Sequence, residues 1–191
     1  MAKLLFSQNM DYEFVGPMYI SSMVKKHGHE CDLEIGHELI YFEEVIQKIN
    51  PDIIGFSIMS GSHNWGRKIA KEFKKKYNIT TLFRGAHPTF SPEFIKEKSV
   101  DYLIRGQGEE FVLDILNAID KNKCFKSSPN LSYIDNDGKT KHNSLRNLHK
   151  NMDEYPYPDR ELYHTLDKTQ HRKSKKYNYV KRLSFSLFLL F

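Results

Sequence analysis

Four short stretches carry side chains whose types and spacing could do chemistry. Asp11-Tyr12-Glu13-Phe14-Val15-Gly16 sets two carboxylates on either side of a tyrosine, ahead of a glycine. They read equally as ligands for a bound group or as solvated loop acids. His27, His29, Cys31 and His37 bring nitrogen and sulfur donors together on paper. The first two fall at the end of a helix and its turn, however, and Cys31 starts a strand that would bury it, so no metal site is assigned. Arg84-Gly85-Ala86-His87-Pro88 sets His87 either over a ligand slot or against the sheet edge. Arg105-Gly106-Gln107-Gly108-Glu109-Glu110 has the form of a strand end, a tight turn and a helix with acids in its first turn, which is favourable to the helix dipole. Its role is either structural or at the rim of a ligand. None of the four supplies a catalytic constellation.

The elements that must position these loops follow from hydrophobic period. Residues 3–7, 31–35, 52–57, 79–84 and 100–104 are short apolar runs of strand length, and Asp52-Ile53-Ile54-Gly55-Phe56-Ser57 is continuous enough for a strand buried on both faces. Between them the apolar residues recur at helical spacing, with Gly16-Pro17 opening the first helix and further helices over 41–49, 63–77, 91–98 and 109–121. Five strands alternating with helices predict an α/β fold, a doubly wound five-stranded parallel sheet of the Rossmann-like or flavodoxin-like kind. In such a sheet the functional loops lie at the C-terminal ends of the strands, here 8–16, 57–63, 84–91 and 105–109. Residues 131–142, with Asn136-Asp137-Gly138 at the centre, predict a β-hairpin. The expected organisation is a domain over 1–125, a hairpin and connector over 126–165 and an extended tail over 166–191.

Three common occupants of such a sheet meet obstacles. A dinucleotide needs G-x-G-x-x-G after the first strand, where residues 8–16 hold only Gly16, and Gly106-Gln107-Gly108 has no third glycine at the required spacing. A flavin phosphate in the first loop would meet Asp11 and Glu13. A phosphorelay domain needs an aspartate at the end of the third strand, where Ser57 stands.

The remaining candidate comes from a resemblance. Lys26-His27-Gly28-His29-Glu30, Pro51 to Ser57, Arg84-Gly85-Ala86-His87-Pro88-Thr89 and Val100 to Glu110, in this order and spacing, resemble the cobalamin-binding domain that precedes the barrel of radical-SAM methyltransferases and cyclases. The likeness runs from about residue 3 to about 165, and Met152 to Asp159 is similar to that family's connector. The resemblance implies a slot for the cofactor's nucleotide tail, lined by the small residues Gly55, Ser57, Gly61, Gly85 and Ala86. It implies that Ser57, at the head of Ser57-Ile58-Met59, contacts the tail base, and that Gly85-Ala86 stands where relatives carry two glycines. Hydroxyls and carbonyls of Ser57, Ser60, Thr89 and Ser91 would take the corrin amides, with Gly106 near the rim. Asp11 and Gly16 match the ends of the cobalt-ligating motif D-x-H-x-x-G, but Glu13 holds the histidine position. Because a carboxylate is a poorer and harder cobalt ligand than imidazole, the implied cofactor is cobalamin without a protein histidine ligand.

Radical-SAM chemistry also needs a Cx3CxxC motif for an iron–sulfur cluster. The two cysteines, Cys31 and Cys124, cannot form it, nor a disulfide framework, and they suit a reducing, cytoplasmic compartment. The expected partners are a corrinoid and a separate radical-SAM barrel. The stretch from Tyr177 followed by an apolar end, Leu183 to Phe191, reads as the truncated approach to such a barrel; its nine residues, at about 1.5 Å each, fall short of a ~30 Å membrane core. Residues 1–120 carry 14 basic and 17 acidic side chains, whereas 121–191 carry 15 and 7. Basicity confined to the tail gives no nucleic-acid footprint on the domain. The competing expectation is a degenerate α/β scaffold that binds no corrinoid and serves only protein contact.

Overall fold

The structure is a computed structural model and describes residues 1–163. Five parallel strands, β1 (Lys3–Gln8), β2 (Glu30–Ile35), β3 (Ile53–Ser57), β4 (Thr80–Arg84) and β5 (Tyr102–Ile104), alternate with α1 (Val15–Lys26), α2 (Ile40–Ile49), α3 (His63–Tyr77), α4 (Ala86–Phe90) and α5 (Glu109–Asp120). The hairpin strands β6 (Leu131–Ile134) and β7 (Thr140–His142) complete a seven-stranded sheet of order β2-β1-β3-β4-β5-β6-β7.

The period-2 alternation of each strand sorts its side chains onto two layers. Leu4, Phe6, Leu33, Ile53, Leu82 and Ile104 pack beneath α1 and α5. Leu5, Ile54, Phe56, Phe83 and Leu103 pack beneath α2 and α3. Because both faces are covered, the central strands read as continuous apolar runs. The two long helices on the second layer each end on a left-handed asparagine: Asn50 (φ 49°) closes α2 and Asn78 (φ 51°) closes α3. Asparagine tolerates that conformation better than most residues.

Two features depart from expectation. The hairpin is part of the sheet: β6 pairs antiparallel with β5, through Leu103–Ser132 and Ile104–Leu131 among others. It covers an edge strand of only three residues, whose backbone groups would otherwise be left unpaired. The α-helix expected over 91–98 is only a 3₁₀ turn over Pro92–Lys96, and the stretch 84–91 expected as a loop contains the short helix α4. Pro92 lacks an N–H and keeps Ser91 out of the helical region (φ −128°, ψ 67°), so the helix cannot run through.

The connector straps back across α1 and α5. Arg146 pairs with Glu110 and Asp114 on α5. Asp159 accepts hydrogen bonds from Ser21 Oγ (2.6 Å) and Lys25 Nζ (2.7 Å) on α1. Leu162 and Tyr163 are buried in the layer beneath α1 and α5. The tail over 166–191, with the stretch around Tyr177 and the apolar end, lies outside the described residues. No helix among the described residues is long and apolar enough to cross a membrane.

Candidate functional site

Strand order reverses between β1 and β3: from β1 the chain goes first to β2 on one side, then to β3 and onward on the other. That switch opens a crevice at the C-terminal ends of the strands. Four loops meet there, 9–14, 58–62, 85–91 and 105–108.

The first loop, carrying Asp11 and Glu13, is held by one side chain. The Gln8 amide donates to the carbonyls of Met10 and Tyr12. Its oxygen accepts the Tyr163 hydroxyl (2.8 Å), which in turn accepts the Phe14 N–H (3.1 Å). A connector residue distant in sequence therefore sets the loop's shape, and neither Gln8 nor Tyr163 was legible as a site residue. Burial pushes the Tyr163 phenol up to about 12, so it stays protonated and available to donate. Asp11 and Glu13 are both exposed. Partial burial and then the nearby Glu13 charge raise the Asp11 carboxyl above its ordinary value.

The other three loops are tied into one rim. Ile58 N–H donates to Arg84 O (2.8 Å) and His87 N–H to Ile58 O (3.3 Å). Ser60 Oγ lies 3.3 Å from His87 Nδ1, and the His87 ring stacks on His63 at 4.2 Å. Burial and the adjacent His63 lower the His87 imidazole's affinity for a proton. Thr89 Oγ1 donates to Gly85 O (2.8 Å) and accepts the Gly106 N–H (3.1 Å). The hydroxyls of Ser57, Ser60 and Thr89 thus already have partners within the protein. Gly61, Ala86 and Gly106 sit exposed around this rim.

Gly85 lies at φ 111°, ψ −166°, a conformation essentially reserved for glycine. A Cβ there would come 2.5 Å from Ile58 O. The room at Gly85 is therefore used by the backbone of the β3 loop. The room at Gly16 is used as well, by Arg84. A Cβ on Gly16 would overlap the Arg84 guanidinium, and one on Gly108 would lie 3.0 Å from Arg84 Nε. Arg84 opens the stretch Arg84 to Thr89, yet nothing in its sequence context assigned it a role. Its place at the end of β4, in register with Ser57 and on the same layer as Leu82, is what aims it between α1 and α5. Its side chain keeps 11% of its surface exposed; Nη1 donates to Ser57 Oγ (3.2 Å), and Nη2 lies 3.9 Å from Glu109 Oε1. Nε is buried with no hydrogen-bond partner among the described residues.

Elsewhere the candidate ligands serve the fold. His29 is buried at the opposite edge of the sheet, accepting the Ala2 N–H (3.2 Å) and lying 3.1 Å from Asn117 Oδ1. His27 Nδ1 meets Met23 O at 2.8 Å. Trp65 donates to His37 O and packs edge-on against Phe56. Among the described residues, no group of three metal-ligating side chains is gathered in a metal-binding arrangement.

The rim also exposes apolar surface: Tyr12 and Val15 beside β1, Met59 beside β3 and, most of all, Phe90 at the end of α4, which is 84% exposed. The family model of the B12-binding domain matches residues 4–116. The chain belongs to the B12-binding domain family. Cobalamin is accordingly the cofactor class of this domain. The crevice between the N-terminal ends of α1 and α5 holds the Arg84 guanidinium.

The chain is 30% identical over 155 residues to an uncharacterised methyltransferase of Pyrococcus horikoshii, covering 78% of this chain and 33% of that protein. It is 31% identical over 105 residues to the anaerobic magnesium-protoporphyrin IX monomethyl ester cyclase of Rubrivivax gelatinosus, covering 50% and 18% respectively. It thus spans a third or less of the curated relatives it matches. Among solved structures, the cobalamin-dependent S-adenosylmethionine radical enzyme OxsB, with aqua-cobalamin and S-adenosylmethionine bound, superposes with a TM-score of 0.74 at 19% identity, over 88% of this chain and 25% of that one. The radical S-adenosylmethionine methyltransferase TsrM of Kitasatospora setae, with cobalamin and a [4Fe-4S] cluster bound, gives 0.64 at 13%, over 82% and 31%. At these identities the likeness is one of fold.

Proposed function

We propose that this B12-binding domain holds cobalamin across the C-terminal edge of its sheet and presents it to a radical-SAM barrel, itself supplying no catalytic group. The observation that carries the reading is the exposed apolar rim, Tyr12, Val15, Met59 and Phe90, at the edge where a doubly wound sheet binds its ligands. An exposed apolar patch of this kind marks a surface that something covers. Cobalamin supplies, when bound, a cobalt centre able to carry a methyl group or an electron.

In this reading the chain's own residues bind and orient. Met59, Ser60, Gly61, Ala86, His87 and Gly106 form the shelf, and Ser57 and Gly85 fix the backbone behind it. Asp11 and Glu13 stand at the first loop with Gly16 behind them, so the cobalt has no protein imidazole at that position. The free thiols Cys31 and Cys124 suit a reducing, cytoplasmic setting.

The test is retention of hydroxocobalamin by the purified chain through desalting, read by visible absorption. The expected result is near-stoichiometric corrinoid with a displaced cobalt spectrum. Met59→Asp with Phe90→Asp, which charges the exposed rim and touches no core contact, should reduce retention at least tenfold at an unchanged Tm. No retained corrinoid in any cobalt oxidation state would refute the reading and leave a non-binding scaffold.

A further inference from the structure

The crevice at the switch point is a filled volume. Its walls are the N-terminal ends of α1 and α5, each represented by a glycine, and the end of β3. A side chain at Gly16 would collide with Arg84 Nη1, and one at Gly108 would press on its Nε. The two glycines therefore make room for a guanidinium. Ser57, the residue that would face a ligand at the end of β3, has its oxygen turned to that guanidinium at 3.2 Å.

Arg84 is held there weakly for a buried cation. Among the described residues its side chain makes one hydrogen bond, to Ser57, and one ion contact, at 3.9 Å, to Glu109, whose other oxygen accepts the Gly108 N–H at 3.1 Å. Nε is buried without a partner among the described residues. Burial lowers its proton affinity, with Glu109 and Tyr163 pulling the other way. A buried, under-satisfied charge of this kind is costly. It stays because two helix ends and a strand enclose it, and a group entering the crevice must first displace it.

We infer that Arg84 closes the crevice to the nucleotide tail of a corrinoid, so that this domain recognises the corrin ring and leaves the tail outside. The inference rests on the cobalamin reading above. It makes a specific claim about ligand class: a corrinoid lacking the nucleotide loop should be taken as readily as the complete cofactor. In a domain with an open crevice the inserted nucleotide would add binding surface, and the complete cofactor would be preferred.

The experiment compares equilibrium binding of hydroxocobalamin and diaquocobinamide, which lacks the nucleotide loop, to the full chain by visible titration. The expected result is a pair of Kd values within about threefold. Arg84→Gly, which removes the guanidinium and leaves the crevice between Gly16 and Gly108 empty, should shift the ratio at least tenfold in favour of cobalamin. Arg84→Ala should shift it the same way, giving a second variant if the first loses stability. A wild-type preference for cobalamin of tenfold or more would overturn the inference while leaving the cobalamin reading intact, and so would a ratio unmoved by either substitution. If neither corrinoid binds the wild-type chain, both fall.

Discussion

Replacing Gly85 by alanine tests the close approach of the β3 and β4 loops, on which the shape of the rim depends. Two costs add. The backbone at φ 111°, ψ −166° lies where a residue with a Cβ is strained by about 1–3 kcal/mol. The new methyl group would also stand 2.5 Å from Ile58 O and 3.0 Å from Ile58 N. These are backbone atoms tied to β4 by the Ile58–Arg84 hydrogen bond, so they cannot turn aside as a side chain would. Overpacking of this kind adds about 1–3 kcal/mol. The expected destabilisation is therefore about 2–6 kcal/mol, read by urea unfolding followed by far-UV circular dichroism. With a slope of about 2 kcal/mol/M, the midpoint should fall by roughly 2 M. Gly61→Ala is the control: it lies in the same rim, no atom of the described residues beyond its chain neighbours stands within 4 Å of where its methyl group would lie, and its backbone is outside the left-handed region. It should change stability by less than about 0.5 kcal/mol. A Gly85→Ala protein as stable as Gly61→Ala would refute the reasoning.

Two further predictions concern the connector. Tyr163→Phe removes the donor to Gln8 Oε1 and the acceptor of the Phe14 N–H; it should cost about 1–3 kcal/mol in urea unfolding and speed proteolytic cleavage within residues 9–14. Arg146→Ala removes the pairs with Glu110 and Asp114, half-exposed contacts that contribute about 1 kcal/mol or less at neutral pH. The Arg146 hydrogen bond is the main reason the Glu110 carboxyl sits below its ordinary 4.5, so the stability it contributes is present above 4.5 and is lost as pH falls through the lowered value. The difference between wild type and variant should thus shrink below pH 4.5, which thermal melts across pH 3–7 would check; an equal difference throughout would contradict the pairing.

Most of the parallel sheet was legible because each strand is short, apolar and bounded by turn residues, and because α3 over 63–77 has the same ends in sequence and structure. Pro92 was a readable stop for α4, since it keeps Ser91 out of the helical region, but it carried no sign that residues 92–96 would wind as a 3₁₀ turn. The docking of the hairpin onto β5 was not readable: hairpin chemistry in Asn136-Asp137-Gly138 fixes the turn but carries nothing about which sheet edge the hairpin will cover. The stretches after β1, β3 and β5 are loops at the strand ends as the rule has it, whereas the one expected over 84–91 contains α4. What escaped was the use of their small residues. Gly85 read as open space for a ligand and Gly16 as the end of a cobalt-ligating motif, but their space is taken by the Ile58 carbonyl and by Arg84 respectively. A charged residue ending an apolar strand, on the layer facing two helix-opening glycines, was the available clue to Arg84. Tyr163 gave no such clue, since only the folded connector brings it to Gln8.

The placement of cobalamin across the C-terminal edge of the parallel strands is tested most directly by amide hydrogen exchange on the full chain, with and without saturating hydroxocobalamin. Slowed exchange confined to residues 9–14, 58–62, 85–91 and 105–108 is the predicted result. Unchanged exchange in those loops, or protection appearing instead at the opposite edge around His27 to Glu30, would contradict it.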